Sequence, residues 1–473
     1  MAVTRTRIVI VGAGTAGLAA LREIRDQTDD FILINDGPYG TTCARVGCMP
    51  SKALIAAANA FHARSRLETF GINGAENVKA DIPSVMKRVR ALRDDFVSGV
   101  LRATDGLGAR NIAGRARLDG PNRVIVGNQV IEADRIILAP GSSPIVPGPW
   151  KKLGDSVFTT DSFFELEDLP RRIGVIGLGA IGAELAQALA RLGLEVHAFD
   201  GSRRIAGVSD EKVAAILENA LREEYSIHLE TQVELAAAGD GAVAISWNGG
   251  SVIVDKVLAA VGRSPNFDGL GLETLGVPLD SRGMPKVDPT TMRIADTDVF
   301  LAGDANGHNP LLHEGTDEGH IAGICATHSE QAELRRRTPL GIVFCDPEVA
   351  AVGMRADALE PANTIIGEVS FANQGRARTM QVNQGLLRVY ARRSDGRLLG
   401  AEMAAPSAEH LAHLLALAID RDLNVHDLLR MPFYHPTLEE GLRTALRAIA
   451  RQLPPCSISD LARCKPLNVQ ALE

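Results

Sequence analysis

The sequence predicts an α/β protein with two Rossmann-like dinucleotide-binding domains and a C-terminal α+β domain. Three observations predict it. A Gly-x-Gly-x-x-Gly turn follows a short apolar run near the N-terminus, and the same pattern returns in the middle of the chain. Beyond about residue 339 the pattern changes to alternating strands and long helices. At 473 residues the chain also exceeds the ~250–300 residues over which one core grows, so several domains are expected.

The first unit opens with Arg7-Ile8-Val9-Ile10-Val11, an apolar run that reads as a buried parallel strand. Gly12-Ala13-Gly14-Thr15-Ala16-Gly17 breaks it and leads into a helix from Leu18 to about Asp26. Phe31-Ile32-Leu33-Ile34 is the next strand. The glycines allow a tight turn and let the backbone approach a pyrophosphate at the positive end of the helix.

One such turn is a weak signal, but it is repeated. Arg172-Ile173-Gly174-Val175-Ile176 precedes Gly177-Leu178-Gly179-Ala180-Ile181-Gly182, a helical run to Leu192 follows, and Glu195-Val196-His197-Ala198-Phe199-Asp200 closes the unit. Two such units imply two dinucleotides and electron transfer between them. Asp200, at the end of the second strand, is placed to bind ribose hydroxyls and repel a 2′-phosphate, which favours NAD over NADP. Arg203 and Arg204 follow closely and keep NADP open. At the equivalent offset in the first unit stands Asn35, with Asp36 adjacent; an amide can still bond a ribose hydroxyl.

Residues 62–110 read as helical and surface-rich. Strands running into turns are expected at Arg135-Ile136-Ile137-Leu138-Ala139-Pro140-Gly141 and Asp298-Val299-Phe300-Leu301-Ala302-Gly303-Asp304. The C-terminal module carries strands at 386–391 and 398–403 and helices at 408–419 and 438–451. After Gln452 a Pro454-Pro455 break opens a tail without periodicity.

Composition narrows the function classes. Net charge is −8 and aromatics are 4%, which disfavours nucleic-acid binding. No run of ~18 apolar residues is present and the N-terminus lacks a signal-peptide pattern, so no membrane insertion and a cytoplasmic location are expected. Of six cysteines, only Cys43 and Cys48 form a close pair, on the lead-in to a helix whose end stabilises a thiolate. No second pair or His cluster has ligand spacing, so no metal site is expected.

Cys43-Ala44-Arg45-Val46-Gly47-Cys48-Met49-Pro50-Ser51-Lys52 resembles the redox-disulfide motif of the pyridine nucleotide–disulfide oxidoreductases, the flavoprotein family of dihydrolipoamide dehydrogenase, glutathione reductase and mercuric reductase. The resemblance runs through both Gly-rich turns, Ala260-Val261-Gly262-Arg263-Ser264-Pro265-Asn266, Ala302-Gly303-Asp304-Ala305, Asp346-Pro347-Glu348-Val349-Ala350 and His435-Pro436-Thr437-Leu438-Glu439-Glu440.

It implies FAD in the first unit, at Gly12, Gly14, Gly17, Asn35, Asp36, Lys52, Gly141 and Asp304. It implies NAD in the second, at Gly177, Gly179, Gly182, Asp200 and Gly262. It divides the chain into an FAD domain at 1–147 and 271–337, an NAD domain at 148–270, a dimerisation domain at 338–452 and a tail at 453–473. In the implied chemistry Cys48 faces the flavin, Cys43 exchanges with substrate, and Lys52 and Glu184 pair beside the flavin. His435, held by Glu440, is the acid–base group and reaches the disulfide of the other subunit of a homodimer. Independently, thiol exchange near neutral pH needs a proton shuttle of the kind a His supplies.

The motif wording and Asp200 lie nearest the dihydrolipoamide dehydrogenases. The expectation is oxidation of dihydrolipoamide or a lipoyl-bearing protein with reduction of NAD. The alternatives are an NADPH-dependent disulfide reductase of the glutathione reductase type, for which Arg22 stands at a suggestive position, and a non-catalytic redox flavoprotein subunit. Three departures stand out: Pro140 in place of the usual threonine, Asn35 in place of an acid, and a tail bearing Cys456 and Cys464.

Overall fold

The computed structural model describes residues 3–328 and 334–454; Cys456 and Cys464 lie outside them. Three sheets organise the chain. In the first, Asn111–Ala113, Phe31–Asn35, Val3–Val11 and Gln129–Leu138 lie side by side in parallel. The long strand Gln129–Leu138 then serves two neighbours. Its first half pairs antiparallel with Arg123–Val126, and its last three residues pair parallel with Val299–Leu301. Val9, Ile10, Ile136, Ile137 and Leu138 are all fully buried, as expected of strands covered on both faces.

Helix Thr15–Arg25 follows the first Gly-rich turn and crosses helix Leu312–Thr327 at very short range. A Cβ at Gly319 would stand 2.2 Å from the Ala16 carbonyl oxygen, and one at Gly323 2.8 Å from that of Ala20. Small residues on both helices make this approach possible. It ties the return segment after residue 271 to the N-terminal unit.

The second sheet is wholly parallel, in the order Ser226–His228, Glu195–Phe199, Arg172–Ile176, Lys256–Ala259, Val157–Phe158. An antiparallel meander, Glu234–Ala237, Val243–Trp247 and Gly250–Val254, packs Val243, Ile245 and Val254 against it. The chain enters and leaves this unit through a two-stranded ribbon, Ser142–Pro144 with Arg263–Pro265.

The third sheet is antiparallel, ordered Leu340–Val343, Glu348–Gly353, Leu398–Ala405, Leu386–Arg392, Thr364–Ser370. Helices Ala408–Asp420 and Glu440–Ala450 share its core. The second of these buries Leu442, Ala445, Leu446 and Ile449, each contributing roughly 1.5–3 kcal/mol for the larger side chains. Gly367 lets it close on the edge strand, since a Cβ there would meet the Ala445 carbonyl oxygen at 2.1 Å.

Buried polar groups join this module to the second unit. Glu402 accepts from the Ser209, Asp210 and Ala356 amides, and Asp210 accepts from Arg388 at 2.6 Å and Tyr390 at 2.9 Å. A buried charge is tolerable only with such partners. No described helix is long and apolar enough to cross a membrane. Boundaries differ modestly from the sequence expectation. The stretch at 62–110 is one long helix, Ile82–Asp105, preceded by short 3₁₀ turns.

Candidate active site

Both Gly-rich turns divide their glycines into the same two kinds. Gly12 has φ +107°, and a Cβ there would lie 2.1 Å from the Ala139 carbonyl oxygen; at Gly17 it would lie 1.9 Å from that of Gly12. In the second turn Gly177 has φ +94° with Ala260 O at 2.3 Å, and Gly182 meets Gly177 O at 1.8 Å. These four are required by close backbone packing.

Gly14 and Gly179 face open space, with nothing within 4 Å of a Cβ. The helices they precede have no side-chain cap and no acid in their first turns. Their leading amides therefore remain free for an anion, and both cradles fit a pyrophosphate.

Asn35 and Asp200 hold these turns from the neighbouring strands. Asn35 Oδ1 accepts from the Ala13 amide at 2.9 Å, while its Nδ2 donates to the Gly37 carbonyl. Asp200 accepts from Leu178 and Ser202 amides, each at 2.6 Å. The Asn35 departure thus keeps the turn-holding contact, and Asp36 beside it is exposed.

Asp304 lies on a 3₁₀ turn, Gly303–Asn306. A Cβ at Gly303 would touch the Ala16 side chain at 2.9 Å, so the turn abuts the first cradle. Asp304 accepts from Ser142 Oγ at 2.6 Å, and Glu318, almost wholly buried, accepts from the Gly303 amide and from Asn306. Gly141 and Gly262 both take positive φ, +70° and +111°, where the ribbon leaves and re-enters the first unit. Pro140 keeps a role through its carbonyl, which accepts from Asn266 Nδ2 at 2.9 Å.

The cysteine pair is arranged differently from a simple helix lead-in. Cys43 sits within its own short helix, Thr42–Val46, and Cys48 opens the long helix Cys48–His62 after Gly47. The two thiols lie close enough to influence each other. The neighbouring Cys43, helped by the charge of Lys52, outweighs burial and holds Cys48 down at about 7, while Cys48 and burial push Cys43 up.

Three modules meet at Lys52. Its Nζ lies 2.8 and 3.0 Å from the Glu184 carboxylate oxygens, on the helix after the second Gly-rich turn. Glu184 also accepts from the Phe344 amide at 2.9 Å, and the Phe344 ring faces Lys52 Nζ at 4.6 Å from its centre. Three residues further along the same helix Gln187 bonds Glu224 and Asp346, and Arg191 bonds Glu224, Asp346 and Asn59. This row clamps the cysteine-bearing helix to the second unit.

His435 Nδ1 lies 3.0 Å from Glu440 Oε2; Glu440 is buried and also engages the Thr437 amide and Arg443. Half of the His435 side chain is exposed, and its described hydrogen bonds all lie within the C-terminal module. The chain thus assembles three pairs, Cys43–Cys48, Lys52–Glu184 and His435–Glu440, and joins the first two, whereas no described hydrogen bond links His435 to either. Glu318, Ser142 and Phe344 escaped sequence reasoning. Their contacts span 12 to 292 positions, and no local pattern marks them.

The family model described as pyridine nucleotide-disulphide oxidoreductase matches residues 6–319, and that of the same family's dimerisation domain matches residues 340–446. The dihydrolipoyl dehydrogenase of Thermus scotoductus is 32% identical over 462 residues, covering 94% of this chain and 97% of that protein. Among solved structures, LpdA of Mycobacterium tuberculosis superposes with TM-score 0.82 at 26% identity, covering 94% of this chain and 99% of that one. The HOCl-induced flavoprotein disulfide reductase RclA of Escherichia coli shares the fold, with TM-score 0.81, 23% identity and the same coverage.

Proposed function

The chain belongs to the pyridine nucleotide-disulphide oxidoreductases, flavoproteins that use FAD and NAD(H), and from that premise we propose that it oxidises dihydrolipoyl groups and reduces NAD⁺. The substrate is free dihydrolipoamide or a lipoyl-bearing protein, and the working form is a cytoplasmic homodimer. The reading is supported by the near full-length likeness to a dihydrolipoyl dehydrogenase. The observation that carries its chemistry is the placing of Cys43 and Cys48 on consecutive helices with the Lys52–Glu184 pair one turn further on, and with Cys48 lowered to about 7.

In the oxidised form the two cysteines are joined. A substrate thiolate attacks Cys43 Sγ, the Cys43–Cys48 bond breaks, and Cys48 departs as a thiolate. A low-pKa sulfur is the better leaving group. The second substrate thiol then closes the substrate disulfide and releases Cys43, which takes up a proton because its thiol form is favoured. One substrate proton is accepted by His435 of the partner subunit, whose Nδ1 is held by Glu440, leaving Nε2 to take the proton. Two electrons leave the substrate and reside on the reduced pair.

The residues that hold FAD are Gly12, Gly14, Gly17, Asn35, Asp304 and Lys52, with Asp36 and Gly141 beside them. When bound, FAD supplies a two-electron acceptor between the thiols and the nicotinamide. Gly177, Gly179, Gly182, Asp200 and Gly262 hold the nicotinamide dinucleotide. Lys52 presents its charge beside Cys48, and Glu184 keeps it there.

The rival is NADPH-dependent disulfide reduction. Arg204, which would serve a 2′-phosphate, is paired instead with Asp357 at 2.7 Å, and Asp200 keeps its carboxylate at the turn. Initial rates on one purified sample decide: dihydrolipoamide with NAD⁺ against oxidised glutathione with NADPH. Fast NAD⁺ reduction is expected; NADPH consumption with glutathione disulfide alone would overturn the reading.

A further inference from the structure

Thr41 stands where a β-branched residue is out of place. Its φ is 62° and ψ 152°, a region that glycine occupies freely and other residues enter only under strain. Gly40 before it is also at positive φ, +117°, and there glycine is required, because a Cβ would lie 2.8 Å from Val97 Cγ1. No such crowding explains Thr41. A glycine would relieve its strain, yet threonine is present.

Its side chain supplies the reason. Thr41 Oγ1 accepts from the Ala44 amide at 3.2 Å, and its carbonyl accepts from Arg45 at 3.2 Å, so it caps the short helix Thr42–Val46 that carries Cys43. At the other end of that helix Gly47 packs against the Thr42 carbonyl and Cys43 Cα, at 3.0 and 3.3 Å from a Cβ. The turn bearing Cys43 is thus held from both ends, by a hydroxyl on one side and by close packing on the other.

We propose that Thr41 is a positioning residue of the thiol pair: its hydroxyl, kept against backbone strain, holds the Cys43 turn and so keeps Cys43 beside Cys48. The proposal rests on the reading of Cys43 and Cys48 as a redox couple. Losing the hydroxyl frees the turn that keeps Cys43 beside Cys48, and so displaces the balance between the reduced pair and the disulfide.

The test is a redox titration of the holoenzyme in buffers of reduced and oxidised dithiothreitol, with acid quench and thiol trapping of Cys43 and Cys48. In each exchange dithiothreitol gives two electrons and two protons to the protein disulfide and closes its own. Thr41→Gly is expected to shift the equilibrium about tenfold, a midpoint displaced by about 30 mV. Its thermal midpoint should equal or exceed that of the parent protein, because strain is relieved. Thr41→Ser, which keeps the hydroxyl, should titrate with the parent. A Thr41→Gly midpoint on the parent curve, or a Thr41→Ser midpoint displaced as far as that of Thr41→Gly, would overturn the proposal. A parent protein showing no reversible disulfide would instead sink the redox reading of the pair.

Discussion

Asn35 and Asp200 do the same mechanical work in the two nucleotide units. Each takes the amide of the residue after the first turn glycine, Ala13 at 2.9 Å and Leu178 at 2.6 Å. The amide side chain lacks the carboxylate's charge, and its nitrogen is already engaged by the Gly37 carbonyl. Asn35→Ala leaves the buried Ala13 amide without this partner, a loss of about 1–3 kcal/mol. Flavin retention on dialysis should weaken roughly tenfold. Asn35→Asp, which restores the acceptor, should retain FAD like the parent; equal retention in Asn35→Ala would show that the contact is idle.

The neighbouring Cys43 and the charge of Lys52 hold Cys48 down at about 7, below the ordinary 9.0. Alkylation of the reduced protein by iodoacetamide should therefore show a half-rise near pH 7, and Cys43→Ala should move it up toward 9.0. The sign for stability follows. A depressed folded value favours the fold fully above pH 9.0, and the contribution fades as pH falls through about 7. An unmoved profile in Cys43→Ala would remove Cys43 as the cause.

Lys52 and Glu184 form a charge pair of unequal exposure, 34% and 7% for the side chains. Lys52→Met strands the buried carboxylate with only the Phe344 amide, and should cost about 3 kcal/mol in denaturant unfolding. Combining it with Glu184→Leu should recover most of that loss. A double variant as unstable as the single would mean that packing, not the stranded charge, is responsible.

Dimer architecture is open to complementation. His435→Gln and Cys43→Ser should each depress dithiol turnover, the former by roughly 10²-fold or more. Co-expressed, the two inactive chains should form mixed dimers in which one site has an intact thiol pair and an intact His435, and activity should return. Mixed dimers as dead as the parents would place His435 with its own chain's cysteines.

The reach of the sequence follows the range of the contacts. Gly12, Gly17, Gly177 and Gly182 are legible because a local turn demands them. Cys43 and Cys48 are legible because five positions separate them, and Glu440 stands an equal distance from His435. The amide of Asn35 was visible too, though not the bonds that engage both its ends.

By itself the sequence determined the two nucleotide units, the C-terminal α+β module and the thiol pair, since periodicity and spacing express short-range geometry. The tertiary structure alone decided that Phe344 completes the Lys52–Glu184 pair and that Glu318 holds the Asp304 turn. It also decided that Thr41 sits in a glycine conformation. Each of these depends on a backbone angle or on a neighbour brought from another part of the chain, and neither quantity is written in local spacing.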